Sequence, residues 1–195
     1  MKNLLIATMN SGKMEEIRAI LNGVVGKVFS AADFTDMPHT LEDGATFTDN
    51  AIKKAREAML FTGLPALADD SGLAVDVLAG APGVLSARFA GVGATDAANN
   101  SKLLAELADT PPEKRQAAFI CVMALVTPES SVQLFSGRVT GKILAKERGS
   151  GGFGYDPLFL VDGFDKTMAE LTIEEKNRIS HRGEALQQFI KYIKT

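Results

Sequence analysis

The sequence predicts an α/β protein: a mixed β-sheet covered by helices, with two lobes around a central cleft. Three observations lead there. An apolar strand, an amphipathic helix and a second strand follow one another over residues 4–29. A long strand–turn–strand pattern occupies residues 116–144, and helical periodicity returns at the C-terminus. A helical crossover joins parallel strands and a tight hairpin joins antiparallel ones, so the combination implies a mixed sheet.

Leu4 to Ala7 is a short apolar run, as expected of a buried strand. Thr8-Met9-Asn10-Ser11-Gly12 then turns into a helix with Met14, Ile17, Ile20 and Leu21 on one face, ended by Asn22-Gly23. Val24 to Phe29 reads as the second strand, and residues 31–43 as an irregular polar segment. Thr46-Phe47-Thr48-Asp49 resembles a capping box with Asp in place of Glu; the helix it opens runs to Thr62 and closes at Gly63. Two short strands, Leu64 to Ala68 and Leu73 to Leu78, are expected on either side of an Asp69-Asp70-Ser71-Gly72 turn, since each of those residues favours turns. Gly80-Ala81-Pro82-Gly83 marks a loop. Thr95 and Asp96 start a helix with Leu103, Leu104 and Leu107 on its apolar face, with Pro111-Pro112 beyond its end. Gln116 to Thr127 and Ser131 to Leu144 form a hairpin around Pro128-Glu129-Ser130. A glycine-rich loop, a short strand (Leu158 to Val161) and two helices finish the chain. No repeat, low-complexity stretch or linker interrupts it, so residues 1–195 are expected to form one domain.

Composition narrows the function. The chain has 195 residues, 46% hydrophobic and 23% charged, values ordinary for a globular protein. A formal net charge of -3 argues against a protein held on nucleic acid by bulk electrostatics, while leaving room for a small basic pocket. The single Cys121 lies in an apolar strand and reads as a buried structural thiol. One Cys and two His cannot close a Cys/His zinc site. With no signal-peptide pattern and no run of membrane-spanning length, a soluble cytoplasmic protein is expected.

Four stretches carry chemistry. In Ala68-Asp69-Asp70-Ser71-Gly72, neighbouring side chains of an extended segment point to opposite faces, so the two carboxylates cannot share one core. A carboxylate facing a cleft calls for a cation, and a hard divalent metal such as Mg²⁺ fits that demand. Thr8-Met9-Asn10-Ser11-Gly12-Lys13 is a strand-to-helix turn whose free N–H groups suit an anion. Lys13 stands where the helix dipole disfavours it, and so needs a partner. The stretch is not a Walker A loop, because Ala7 replaces its first glycine and Met14 its Ser/Thr. Gly149-Ser150-Gly151-Gly152-Phe153-Gly154 formally matches the dinucleotide fingerprint, but it follows a charged run, and Tyr155-Asp156-Pro157 cannot open a helix. Its glycines suit close approach to a flat ligand, with Phe153 and Tyr155 offering ring faces for a base; the alternative places Phe153 in the core. Ser180-His181-Arg182-Gly183 sets two cationic side chains at a helix start, either to bind a carbonyl or phosphate or to pair with Glu184 or Glu175 at the surface. Glu42, in the irregular segment, is a candidate second metal carboxylate.

Taken together, Thr8-x-Asn10-x-x-Lys13, Ala68 to Leu73, Gly80-Ala81-Pro82-Gly83, Ser86-Ala87-Arg88, Gly152 to Pro157 and Ser180 to Gly183 closely resemble the inosine triphosphate pyrophosphatase family. The resemblance spans nearly the whole chain. It implies an elongated mixed-sheet fold, a homodimer, Mg²⁺ dependence, and hydrolysis of ITP, dITP and XTP to the monophosphate and pyrophosphate. Carried over residue by residue, it implies that Thr8, Met9, Asn10, Ser11, Gly12 and Lys13, helped by Lys54, hold the triphosphate. Asp70 would be the proton acceptor and a metal ligand, with Glu42 the second metal carboxylate and Ser71 touching the substrate. Phe153 would stack on the base beside Gly154, Tyr155 and Asp156, and Lys176, His181 and Arg182 would read its edge. Met9 departs from the small residue common in relatives, which matters little where only its backbone is used.

Overall fold

The first strand, β1 (Asn3–Ile6), buries Leu4, Leu5 and Ile6 alike, as a strand covered on both faces must. A computed structural model describes residues 1–195. Helix α1 (Ser11–Leu21) follows, N-capped by Asn10, whose side chain accepts the Lys13 N–H at 2.9 Å. Its buried stripe is Met14, Ile17 and Leu21, joined by Glu16, which apolar periodicity does not explain. Strand β2 (Lys27–Ser30) pairs parallel to β1, with Leu4 opposite Val28. It begins later than expected because Val24 and Val25 still donate their N–H groups to the Leu21 carbonyl, finishing the helix end.

Helix α2 (Phe47–Thr62) has the expected capping box between Thr46 and Asp49, and Gly63 closes it at φ 70°. Strand β3 then corrects the sequence reading: Ala66–Val75 is one continuous strand through Asp69-Asp70-Ser71-Gly72, with no turn there. The sheet order β2-β1-β3-β4-β5-β6 places β3 between two hydrogen-bonded neighbours, and ladders on both sides override local turn preference. Gly72 has a different purpose. A Cβ there would lie 2.4 Å from the Ser86 hydroxyl oxygen and 2.5 Å from the Gly83 carbonyl oxygen, so glycine admits the 3-10 turn Gly83–Arg88 against the strand. Asp76–Leu78 is a 3-10 turn rather than the end of a strand.

Helix α3 (Asp96–Glu106) is N-capped by Thr95, and its Asn99 pins the preceding loop by bonding the Ala90 N–H and the Ala87 carbonyl. Strands β4 (Gln116–Val126) and β5 (Val132–Ile143) form the expected hairpin, with Ser130 at φ 63° in its turn. Strand β6 (Phe159–Val161) pairs antiparallel to β5. Helices α4 (Ile173–Ile179) and α5 (His181–Lys194) end the chain, α4 opened by the expected Thr172–Glu175 capping box.

The chain packs as two units: residues 1–70, 121–137 and 182–195 in the first, residues 71–120 and 138–181 in the second. In the first unit, strand alternation is visible in the cores. Leu4, Ile6 and Leu67 pack with Met14 and Ile17 of α1 and Leu186 and Phe189 of α5. Leu5, Ala66 and Ala68 pack with Ala51, Ala55 and Ala58 of α2. The sheet here is therefore covered on both faces, by α1 and α5 on one and α2 on the other. The second unit has its own core around Leu73, Leu103, Phe119, Leu158 and Phe159.

Candidate active site

The alternation that sorts the core also sorts the two carboxylates. Asp69 shares the parity of Leu67 and faces α1 and α5; Asp70 shares the parity of Ala66 and Ala68 and faces α2. Both are buried, so each needs its own partners.

On the first face, Lys13 Nζ lies 2.9 Å from Asp69 Oδ2, which is the reason a lysine is tolerated in the first turn of α1. Arg182 Nη2 lies 3.2 Å from the same oxygen, and Arg182 Nη1 donates to Glu16 Oε2 at 2.5 Å. Glu16 sits three residues after Lys13 on α1, so one helix turn presents both signs of charge to this network. Burial alone would push the Asp69 carboxyl up, but Lys13, Arg182 and Lys54 outweigh it and hold the group well below the usual carboxylate range. Arg182 is 1% exposed, so the reading in which it pairs with Glu184 or Glu175 at the surface is set aside.

On the second face, Asn50 Nδ2 donates to Asp70 Oδ2 at 2.9 Å while Asn50 Oδ1 accepts the Gly44 N–H at 2.8 Å. This fully buried amide ties Asp70 to the loop that carries Glu42. Lys54, one helical turn along from Asn50, reaches Glu42 Oε1 at 2.7 Å and Asp70 Oδ1 at 3.9 Å. Burial raises the Asp70 pKa; Lys54 and the Asn50 bond oppose it in part, and Glu42 adds to it. Burial alone would lower the Lys54 pKa, but Asp69, Glu42 and Asp70 raise it above its ordinary value. No group of three or more His, Cys, Asp or Glu side chains is placed to hold a metal. A carboxylate pair that shares one ammonium nevertheless fits Mg²⁺, which takes hard oxygen donors, often only one or two of them from protein carboxylates.

The N-terminal turn is closed by its own side chains, with Asn10 as the N-cap of α1. Thr8 Oγ1 accepts the Asn10 N–H at 3.2 Å, and Met9, Asn10 and Ser11 are exposed ahead of α1. Ser71 follows Asp70 in β3 and is half-buried.

In the second unit, Asp156 Oδ2 gathers two donors and lies close against Gly152. It accepts the Phe153 N–H at 2.9 Å and Lys176 Nζ at 2.5 Å, and a Cβ on Gly152, at φ +70°, would collide with it. Lys176 Nζ lies 4.7 Å from the centre of the half-buried Phe153 ring. After this loop comes a single 3-10 turn, Asp156–Leu158, and no α-helix, in keeping with rejection of the dinucleotide fingerprint. Tyr155 corrects one expectation: its ring is buried in the core and its hydroxyl donates to the Ser86 carbonyl at 2.8 Å, so it offers no face for stacking. His181 stacks on Phe119, ring centres 5.0 Å apart.

The structure thus brings together Lys13, Asp69 and Arg182; Glu42, Lys54 and Asp70; and Phe153, Asp156 and Lys176. Sequence reasoning missed Glu16 and Asn50. Neither gave a signal: Glu16 lies off the Met14, Ile17 and Leu21 stripe of α1, and Asn50 is one polar residue among many on α2.

With the geometry established, three comparisons bear on identity. The family model of the Ham1 family matches residues 4–192. A dITP/XTP pyrophosphatase of Geobacter sulfurreducens is 56% identical over 186 residues, covering 95% of this chain and 94% of the relative. A solved HAM1 protein from Coxiella burnetii superposes with a TM-score of 0.89 at 43% identity, covering 100% of this chain and 99% of its own. A dITP/XTP pyrophosphatase structure from Mycobacterium abscessus gives a TM-score of 0.77 at 48% identity, covering 96% of this chain and 98% of its own. A match across nearly the entire length, at identities far above those that mark fold likeness alone, makes this chain a member of the Ham1 family.

Proposed function

We propose that the protein hydrolyses the non-standard purine nucleoside triphosphates ITP, dITP and XTP to the monophosphate and pyrophosphate. The observation that carries this is Asp70, a buried carboxylate held by Asn50 beside Lys54 and Glu42, in a chain whose relatives bear the name dITP/XTP pyrophosphatase. Asp70 accepts a proton from the attacking water; burial raises its pKa, making it the stronger base of the adjacent pair. The water oxygen bonds to the α-phosphorus, the bond to the α–β bridging oxygen breaks, and pyrophosphate leaves with that oxygen. Lys13, Lys54 and the N–H groups of the Thr8–Lys13 turn balance the leaving charge, so catalysis is mainly positioning and electrostatics. Glu42 and Asp70 are the residues that would hold Mg²⁺, which supplies Lewis-acid neutralisation of phosphate charge when bound.

Phe153 stacks on the base, with Gly154 and Asp156 beside it, and Lys176, His181 and Arg182 are assigned to its edge, Arg182 held by Glu16 and Asp69. Cationic donors at the 6-position favour a keto oxygen and oppose the amino group of adenine. Such a hydrogen-bonded site can discriminate by about 10⁴ or more. A homodimer in the cytoplasm is part of the same reading. No helix is long and apolar enough to cross a membrane.

Product analysis with Mg²⁺ on ITP, XTP, ATP and GTP tests it. Pyrophosphate from ITP and XTP, with ATP and GTP nearly untouched, is the expected result, and Asp70→Asn should abolish turnover while nucleotide still binds. Orthophosphate as the product would move the attack to the γ-phosphorus and refute the mechanism. Full turnover by Asp70→Asn would remove Asp70 from the role of base.

A further inference from the structure

We infer that Asp96 and Asn100, at the start of α3, are positioning residues for base recognition: they grip the Gly154 peptide from both sides and so set the place of Phe153. The inference rests on the assignment of Phe153 to the base made above.

The grip is specific. Asp96 Oδ2 accepts the Gly154 N–H at 2.7 Å, and Asn100 Nδ2 donates to the Gly154 carbonyl at 3.2 Å. The two residues are four apart on α3, so they project from one helix face, and both arms reach a single peptide unit pair across 58 and 54 residues of sequence. Asn100 is itself 4% exposed, and its amide is steadied by Glu147 Oε1 at 2.9 Å. Asp96 is a carboxylate, and a charge-assisted bond from a backbone N–H is stronger than a neutral one.

Gly154 needs holding. It lies at φ +60°, and a Cβ there would meet nothing within 4 Å, so glycine is present for its conformation and not for want of space. It lies one residue beyond Phe153, which Gly151 and Gly152 precede, and glycines lose the most conformational freedom on ordering. Upstream, the Phe153 N–H is fixed by Asp156, the carboxylate that also binds Lys176. Asp156 therefore anchors one side of Phe153 and α3 the other. A loop ordered before the ligand arrives leaves less ordering to be done on binding. Neither Asp96 nor Asn100 need touch the nucleotide to affect how tightly the base is bound.

The test uses the full-length enzyme carrying Asp96→Ala, Asp96→Asn, Asn100→Ala or Phe153→Ala, with two inhibitors as probes: inosine monophosphate, which carries the base, and inorganic tripolyphosphate, which does not. Asp96→Ala and Asn100→Ala should each raise KM for ITP about tenfold at nearly constant kcat, the scale of one lost hydrogen bond to an ordered peptide. Inhibition by inosine monophosphate should weaken by the same factor, and inhibition by tripolyphosphate should stay within about twofold. Asp96→Asn keeps an acceptor for the Gly154 N–H and should recover most of the loss. Equal weakening of both inhibitors, a fall in kcat alone, or no change overturns the inference. Phe153→Ala separates the two readings. If it weakens inosine monophosphate and the α3 variants do not, the grip is wrong; if it has no effect on inosine monophosphate, the base assignment itself fails and takes the grip with it.

Discussion

Asp69→Asn removes the negative charge at the centre of the Lys13–Asp69–Arg182–Glu16 network while keeping its shape. The Asp69 side chain is wholly buried, with Lys13 at 2.9 Å and Arg182 at 3.2 Å. Deleting one partner of a buried pair costs about 3–5 kcal/mol, because it strands the other charge. Two features put this case at the lower end: Lys13 keeps some exposure and can turn to water, and Arg182 keeps Glu16. The expected loss is thus about 3 kcal/mol, a fall of roughly 1.5 M in urea midpoint for a slope of about 2 kcal/mol/M. Glu16→Gln alone should cost less, since Asp69 remains. Together the two substitutions leave the Arg182 guanidinium without either carboxylate, so the double variant should lose more than the sum, by about 1–3 kcal/mol. The sign of the pH dependence follows from the folded-state pKa of Asp69, which is depressed. Its contribution is fully present above the unfolded value of about 3.9 and is lost as pH falls below it. The wild-type acid limb should be steeper than that of Asp69→Asn below about pH 4. Equilibrium urea unfolding at pH 7 and across the acid range measures all of this. A cost below about 1 kcal/mol, or strictly additive losses, would refute the claim that these four groups form one buried network.

Two further perturbations address packing. Gly72→Ala drives a methyl into the Gly83 carbonyl and Ser86 hydroxyl at under 3 Å, and should destabilise the chain by about 1–3 kcal/mol, read as a lowered melting midpoint; an unchanged midpoint would mean the 3-10 turn yields freely. Cys121 is fully buried, and burial, with Asp69 adding to it, pushes its thiol up to about 12. At pH 8 it should therefore resist a thiol reagent such as dithiobisnitrobenzoate until urea unfolds the chain; stoichiometric labelling of the native protein within seconds would contradict that burial.

Much of the frame was legible because it rests on local rules. The capping boxes at Thr46 and Thr172, the Gly63 stop and the β4–β5 hairpin each carry their signal within a few residues. Asp69 to Gly72 misled because the same four residues are good turn formers, and nothing local announces that β3 will have a strand on either side. Tyr155 misled for a similar reason. A ring next to Phe153 in a glycine-rich loop reads as a ligand wall until the Ser86 carbonyl is seen to claim its hydroxyl. Asn50 could not be found at all, since its role is defined by two partners, Gly44 and Asp70, that only the folded chain delivers to it.

Adjacent carboxylates are indistinguishable by type and spacing, yet they divide their tasks by strand parity. A residue on the Leu67 side of β3 must face α1 and α5, where Lys13 and Arg182 wait; a residue on the Ala68 side must face α2, where Asn50 and Lys54 do. Asp69 is balanced by two cations at hydrogen-bonding distance, which makes it a weak base and a strong structural tie. Asp70 accepts from the neutral Asn50 amide and has the Lys54 ammonium at 3.9 Å, and its pKa is raised. A base must have some affinity for a proton, and the environment of Asp70 favours its protonation more than that of Asp69 does. The proposal that Asp70 is the catalytic carboxylate, which the sequence could draw only from resemblance, rests in part on this division: the pleat of the strand turns one acid toward two cations and the next toward a neutral amide and a more distant ammonium.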